Sequence, residues 1–172
     1  MKTYDDVGGS ADRDRVLVDV AEFQVAADDE TLAAYGLGAC LGVALSDPDH
    51  GVGGLAHAML PREPEGATAT PGKFVGPAVE RLLRAVVEAG AALGSVDAVL
   101  VGGGDLLDLQ ALPRDVGERN VAAARERLAE LDVSVAAADV GGDHGRTVEL
   151  DTATGIVSVF TAEQPVPTIL YP

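Results

Sequence analysis

Cysteine is all but missing from this chain: Cys40 is the only thiol in 172 residues. A single thiol excludes an internal disulfide framework and a cysteine-built zinc site. Lysine is scarce as well. Lys2 and Lys73 stand alone, and the rest of the 12 basic residues are arginines. Against 28 acidic residues the net charge is −16, which sets the chain against nucleic acid and anionic lipid surfaces as partners. Aromatic residues make up 3% and tryptophan is absent, so the core must be built from Ala, Val and Leu. No uncharged apolar run approaches about 18 residues, so no membrane-spanning helix is expected. Met1 to Asp6 has no apolar stretch of the kind a signal peptide needs. These absences predict a cytoplasmic protein, and the acid-rich, lysine-poor balance predicts one adapted to salt, as in a halophilic archaeon.

What is present is a globular composition, with 47% hydrophobic residues, in a chain long enough for one domain with a core. Residues 1–13 read as a polar flexible tail, 14–163 as the domain, and 164–172, with Pro165, Pro167 and Pro172, as an irregular tail. Strand-like runs begin at Val16–Val20, continued by Phe23–Val25, and recur at Leu41–Leu45 and Val52–Leu60. A helix over 74–90 is signalled by Val75, Val79, Leu82, Leu83, Val86 and Val87 on one face, with Pro77 in its first turn and Gly90 beyond its end. Asp97–Val101 is a short strand feeding Gly102–Gly104. A second helix is expected over 118–131, with Val121, Ala124, Leu128 and Leu131 as its stripe. Val133–Ala137 returns as a strand, and Val148–Leu150 with Ile156–Phe160 flank a hairpin turn at Asp151–Gly155. Many strands with two helices predict an α+β domain.

Cys40 lies in a glycine-framed run, Gly36-Leu37-Gly38-Ala39-Cys40-Leu41-Gly42, and His57 lies in a second, Gly53-Gly54-Leu55-Ala56-His57-Ala58-Met59-Leu60-Pro61. A lone cysteine or histidine in an apolar run is more often a core residue than a catalyst. Yet a thiol and an imidazole at the edges of strands are the minimum equipment of a thiolate enzyme. The glycines let backbone N–H groups approach a substrate carbonyl. His50 sits in an Asp/Pro turn and His144 in a glycine-rich turn, and both read as surface residues; no helical ligand pair links them to His57.

The ordered segments resemble the CheD family of chemoreceptor glutamine deamidases. Gly36-Leu37-Gly38-Ala39-Cys40 is similar to its nucleophile segment, and Gly53–Pro61 to its histidine segment. Pro71-Gly72-Lys73-Phe74, Gly102–Gly104, Val116-Gly117-Glu118-Arg119-Asn120, Asp139-Val140-Gly141-Gly142, Gly145-Arg146 and Asp151–Gly155 follow in the family's order. The match spans roughly residues 16–160. It implies a single-domain, three-layer β/β/α sandwich shared with toxin deamidases. It implies deamidation of chemoreceptor glutamines, with Cys40 as nucleophile, His57 as acid–base group and backbone N–H groups of Gly38 and Ala39 at the oxyanion. No metal or organic cofactor is implied. The partners would be chemoreceptor cytoplasmic domains and a CheC-type phosphatase. An imidazolium at His57 would lower the Cys40 pKa. Three positions depart from the family pattern. Ala34 stands where a third catalytic residue, Thr, is usual, Ala39 replaces a Ser, and Gly76 replaces an Asp. Ala34 leaves open a second reading, a non-catalytic docking module for CheC or receptors. Arg119 and Asn120 read as structural, Arg119 pairing with a carboxylate such as Asp139. Leu106, Leu107 and Leu109 read as a candidate partner patch.

Overall fold

The computed structural model describes residues 15–66, 70–105 and 115–170. The polar segment 1–13 and the Leu106–Leu109 patch lie outside them. Among the described residues ten strands form two five-stranded sheets, ordered β1-β3-β8-β9-β10 and β2-β5-β4-β6-β7. The strands are β1 (Arg15–Leu17), β2 (Phe23–Ala27), β3 (Thr31–Leu37), β4 (Leu41–Asp47), β5 (Val52–Ala58), β6 (Asp97–Gly102), β7 (Ser134–Val140), β8 (Arg146–Asp151), β9 (Val157–Phe160) and β10 (Thr168–Leu170). Two α-helices stand beside them among the described residues, α1 (Val75–Glu88) and α2 (Val116–Glu130). The pairings β1 with β3 and β6 with β7 are parallel; the others are antiparallel.

One apolar cluster joins the helices to the β4/β5 sheet through residues such as Leu41, Val43, Leu45, Val79, Leu82 and Leu128. A second lies between the sheets and includes Leu32, Ala34, Leu37, Leu55, Val99, Val148 and Leu150. This is the expected three-layer sandwich. With material on both faces, β4 and β5 are buried at every position, which is why they read as continuous apolar runs and not as alternating ones. Gly54 admits α1 at close range, since a Cβ there would lie 2.6 Å from Leu82 Cδ1.

Helix α1 buries Val75, Ala78, Val79, Leu82, Leu83 and Val86. Val87, expected on that face, is 38% exposed, because it lies about 120° round the helix from Val75. At its end, Gly90 N donates to Val87 O and Ala91 N to Val86 O, the paired bonds that end a helix at a glycine with positive φ.

The structure corrects the strand reading in three places. Val16–Phe23 is not one continuing ribbon. β1 ends at Leu17, the chain turns at Ala21 with φ 67°, and β2 enters the other sheet. The strand β3 was not expected, since Ala33, Ala34 and Gly36 are poor strand formers; it is held by pairing on both sides, with a register shift between Ala34 and Leu37. The C-terminal segment is not wholly irregular. Thr168–Leu170 adds to the edge of β9, where the prolines leave the N–H groups of the strand itself free to pair.

Candidate active site

Cys40 is the last residue of the loop between β3 and β4, and His57 sits near the end of β5. In the β4–β5 ladder Leu41 faces Ala58 and Gly42 faces His57. His57 shares the face of Leu55, which packs between the sheets. A Cβ on Gly42 would meet Leu37 and Val148, so the Gly42–His57 pair looks into the same inter-sheet space. Cys40 packs against that cluster too. One step beyond the ladder, it stands diagonal to His57 across the two strands, a relation that typically spans ~7–8 Å between Cα atoms. The ladder thus brings the two expected residues to one end of one sheet, on one face.

The loop carrying Cys40 is tied down on three successive carbonyls. Gly104 N donates to Gly38 O at 2.8 Å and Gly103 N to Cys40 O at 2.9 Å. Asn120 Nδ2 donates to Ala39 O at 2.9 Å and to Met59 O at 3.0 Å. The Gly102–Gly104 turn therefore backs the cysteine loop. The Gly38 N–H is engaged with Gly36 O at 3.0 Å, so of the two expected oxyanion donors only Ala39 has an N–H that no backbone carbonyl among the described residues takes up. Among the described residues, neither Ala39 N nor Cys40 N donates to another backbone carbonyl.

The electrostatics of the pair differ from the expected ion pair. Burial pushes the Cys40 thiol above its ordinary pKa, against the opposing pull of its own backbone N–H. Burial likewise depresses His57, against the Val18 backbone and the charge of Asp19. Both effects favour neutral thiol and neutral imidazole in the unliganded protein. His57 is 1% exposed, and neither ring nitrogen completes a hydrogen bond of good geometry among the described residues. Its backbone is held on both sides: His57 N donates to Glu22 O and Ala21 N donates to His57 O, each at 2.9 Å. The crossover from β1 to β2 therefore runs past the ring, bringing the Val18 carbonyl and Asp19 beside it. Ala34 is fully buried in the inter-sheet cluster.

The remaining sequence candidates separate. His50 Nδ1 is 2.7 Å from Asp47 Oδ2, at the far end of β4 from Cys40. It is exposed, as expected, and its partner Asp47 is buried and also accepts from Ala92 N at 2.8 Å, holding the turn together. His144 sits beside Gly142, 3.9 Å from Asp143. Arg119 is exposed and does not pair with Asp139. That carboxylate is taken by Arg146, at 3.0 and 3.2 Å, since Arg119 lies off the inward stripe Val116-Asn120-Ala124-Leu128. Asn120, read as structural, proves to join the two strand ends at the site. Its signal in the sequence is an amide at an inward position of an apolar helix stripe.

Among the described residues no helix is long and apolar enough to cross a membrane. Residues 59–161 match the family described as CheD, chemotactic sensory transduction. A protein named probable chemoreceptor glutamine deamidase CheD 2 from Geobacter metallireducens is 42% identical over 156 residues, covering 88% of this chain and 96% of its own. The probable chemoreceptor glutamine deamidase CheD of Haloarcula marismortui is 36% identical over 166 residues, covering 94% and 96%. That of Natronomonas pharaonis is 39% identical over 147 residues, covering 85% and 87%. With matches of this length and identity, and the ordered glycine, cysteine and histidine segments seated at one end of a three-layer sandwich, the chain belongs to the CheD family.

Proposed function

We propose that this protein is a chemoreceptor glutamine deamidase in which Cys40 is the nucleophile and His57 the proton carrier. The observation that supports this most directly is the β4–β5 register, in which Gly42 faces the buried imidazole of His57 and the only thiol comes one residue before the ladder begins. A carboxamide is a weak electrophile, so the site must activate both attacker and carbonyl. Neutral His57 takes the Cys40 proton as sulfur attacks the carboxamide carbon, so the thiolate forms in the reaction and not before it. The oxyanion then meets the N–H groups of Ala39 and Cys40. Imidazolium gives its proton to the departing ammonia, leaving a thioester. Water, deprotonated by His57, cleaves the thioester to glutamate and restores the thiol. The net reaction is glutamine plus water to glutamate plus ammonia. The Val18 carbonyl beside the ring is the group to orient His57, in place of a hydroxyl at position 34. Such contacts commonly tighten only when substrate is bound.

The partner is a chemoreceptor cytoplasmic domain, with a CheC-type phosphatase as a second partner suggested by the family resemblance. The acidic, lysine-poor composition and the relatives from Haloarcula and Natronomonas support a salt-adapted, haloarchaeal-like member working in the cytoplasm. The test is incubation with a purified chemoreceptor cytoplasmic fragment, reading Gln→Glu conversion by mass spectrometry. Wild type converts specific glutamines and Cys40→Ala converts none. Binding without conversion by the wild type would instead mark a docking module.

A further inference from the structure

Asn120 is fully buried on α2, yet its side chain makes no bond within its own helix. Both hydrogens of its amide go elsewhere, one to Ala39 O at 2.9 Å and one to Met59 O at 3.0 Å. Ala39 immediately precedes Cys40. Met59 follows His57 by two residues, just past the end of β5. A single carboxamide therefore spans the two chain segments that carry the reactive pair.

The consequence follows from peptide geometry. All peptide bonds in the described chain are trans, and in a trans peptide the C=O and the next N–H point in opposite directions. Gly38 O is held by the Gly104 N–H and Ala39 O by the Asn120 amide on α2. The Ala39 N–H therefore points away from Gly104 and the Cys40 N–H away from Asn120, and neither donates to a backbone carbonyl among the described residues. Gly104 aims the first of them and Asn120 aims the second. Helix α2 itself is seated against the turn: a Cβ on Gly117 would lie 2.3 Å from Gly104 O and 2.6 Å from Gly103 O. Asn120 thus projects from a helix that cannot shift closer or slide freely.

We propose that Asn120 is a positioning residue for the deamidation. It fixes the Ala39–Cys40 peptide plane so that the Cys40 N–H faces the oxyanion, and it ties that plane to the end of the strand bearing His57. This rests on the deamidase reading above, and it concerns a residue that touches neither substrate nor reacting atoms.

The experiment compares Asn120→Ser and Asn120→Asp with wild type on a purified chemoreceptor cytoplasmic fragment. Arg127→Ala serves as the stability control, because it cuts the 2.6 Å ion pair to Glu80 between the helices without touching the cysteine loop. Asn120→Ser should lose about 10²-fold in kcat, the scale of a misplacement near 1 Å. Its KM should stay within about twofold, since ground-state binding is not at issue. Asn120→Asp keeps the volume and so guards against a collapsed core. As a neutral acid it can donate one hydrogen, and as a carboxylate none, so its kcat relative to wild type should rise as pH falls. A folded Asn120 variant with wild-type kcat overturns the proposal. So does a loss in Asn120→Ser no larger than that of Arg127→Ala at an equal drop in Tm. Cys40→Ala is run in parallel. If it is inactive, the deamidase reading stands whatever Asn120 does; if it is active, that reading falls and the role of Asn120 falls with it.

Discussion

At the scale of single residues, the protonation states of Cys40 and His57 set the pH behaviour. His57 is depressed in the folded protein by burial, so below its ordinary value of about 6.5 the unfolded chain binds a proton that the folded chain does not. Stability contributed by the neutral buried ring is intact above that value and is lost as pH falls below it. Tm should therefore decline on acidification from pH ~6.5, and His57→Leu should flatten that limb in thermal melts. Activity should fall over the same range, because a protonated imidazole cannot take the thiol proton. Cys40 is raised by burial, so haloacetamide labelling of the free enzyme should climb only at alkaline pH. Rapid labelling at neutral pH would show a preformed thiolate and restore the ion-pair picture. Ala34→Thr adds a hydroxyl and a methyl to a filled cluster and should cost ~1–3 kcal/mol of stability by overpacking. If position 34 faces the ring, kcat is unchanged or higher; a large loss of kcat with normal Tm would show that it faces something else.

At the scale of elements, the contact of α2 with the Gly102–Gly104 turn couples helix packing to the site. An exposed helical glycine usually gains ~1 kcal/mol on replacement by alanine. At Gly117 the new Cβ would meet backbone oxygens at 2.3 and 2.6 Å, atoms that cannot rotate away. The clash outweighs the propensity, so Gly117→Ala should lower Tm and, by lifting Asn120, lower kcat more than stability alone accounts for. Paired melts and turnover measurements check both. Gly54→Val tests the other helix. Its side chain would start 2.6 Å from Leu82 Cδ1 and 2.8 Å from Val86 Cγ2, so a destabilisation of ~1–3 kcal/mol is expected, with little effect on the kcat of the folded fraction. The elements themselves were legible unevenly. Both helices announced themselves by period, and α1 by Gly90 as well, whereas β3 did not, since Ala33, Ala34 and Gly36 are poor strand formers without alternation and the strand is held by its pairing with β1 and β8.

At the scale of the whole molecule, the charge of −16 acts as a self-repulsion that dilute buffer leaves unscreened. The Debye length falls from ~10 Å at 0.1 M to ~3 Å at 1 M salt. The Ala/Val/Leu core between the layers offers no large aromatic contribution in return. Tm should rise steadily from about 0.05 M into the molar range, with sulfate exceeding chloride because it also strengthens apolar burial. A melting temperature indifferent to salt would remove the salt-adapted reading and leave the site untouched.

Taken alone, the residues pointed to the fold class, the two helices and the central strands, because apolar period and turn glycines are local signals, and the lone thiol with an imidazole in a second glycine-framed run marked Cys40 and His57 as the candidate pair. Three matters were decided only by tertiary structure. The upward push of burial on the Cys40 pKa and its downward push on His57 come from packing between two sheets, a property of the folded molecule. The group beside His57 is a main-chain carbonyl at Val18, and a backbone atom leaves no mark in residue identity. The role of Asn120 arises because one helix stripe meets two strand ends, Ala39 and Met59, that lie 81 and 61 residues away along the chain; sequence spacing carries no trace of such a meeting.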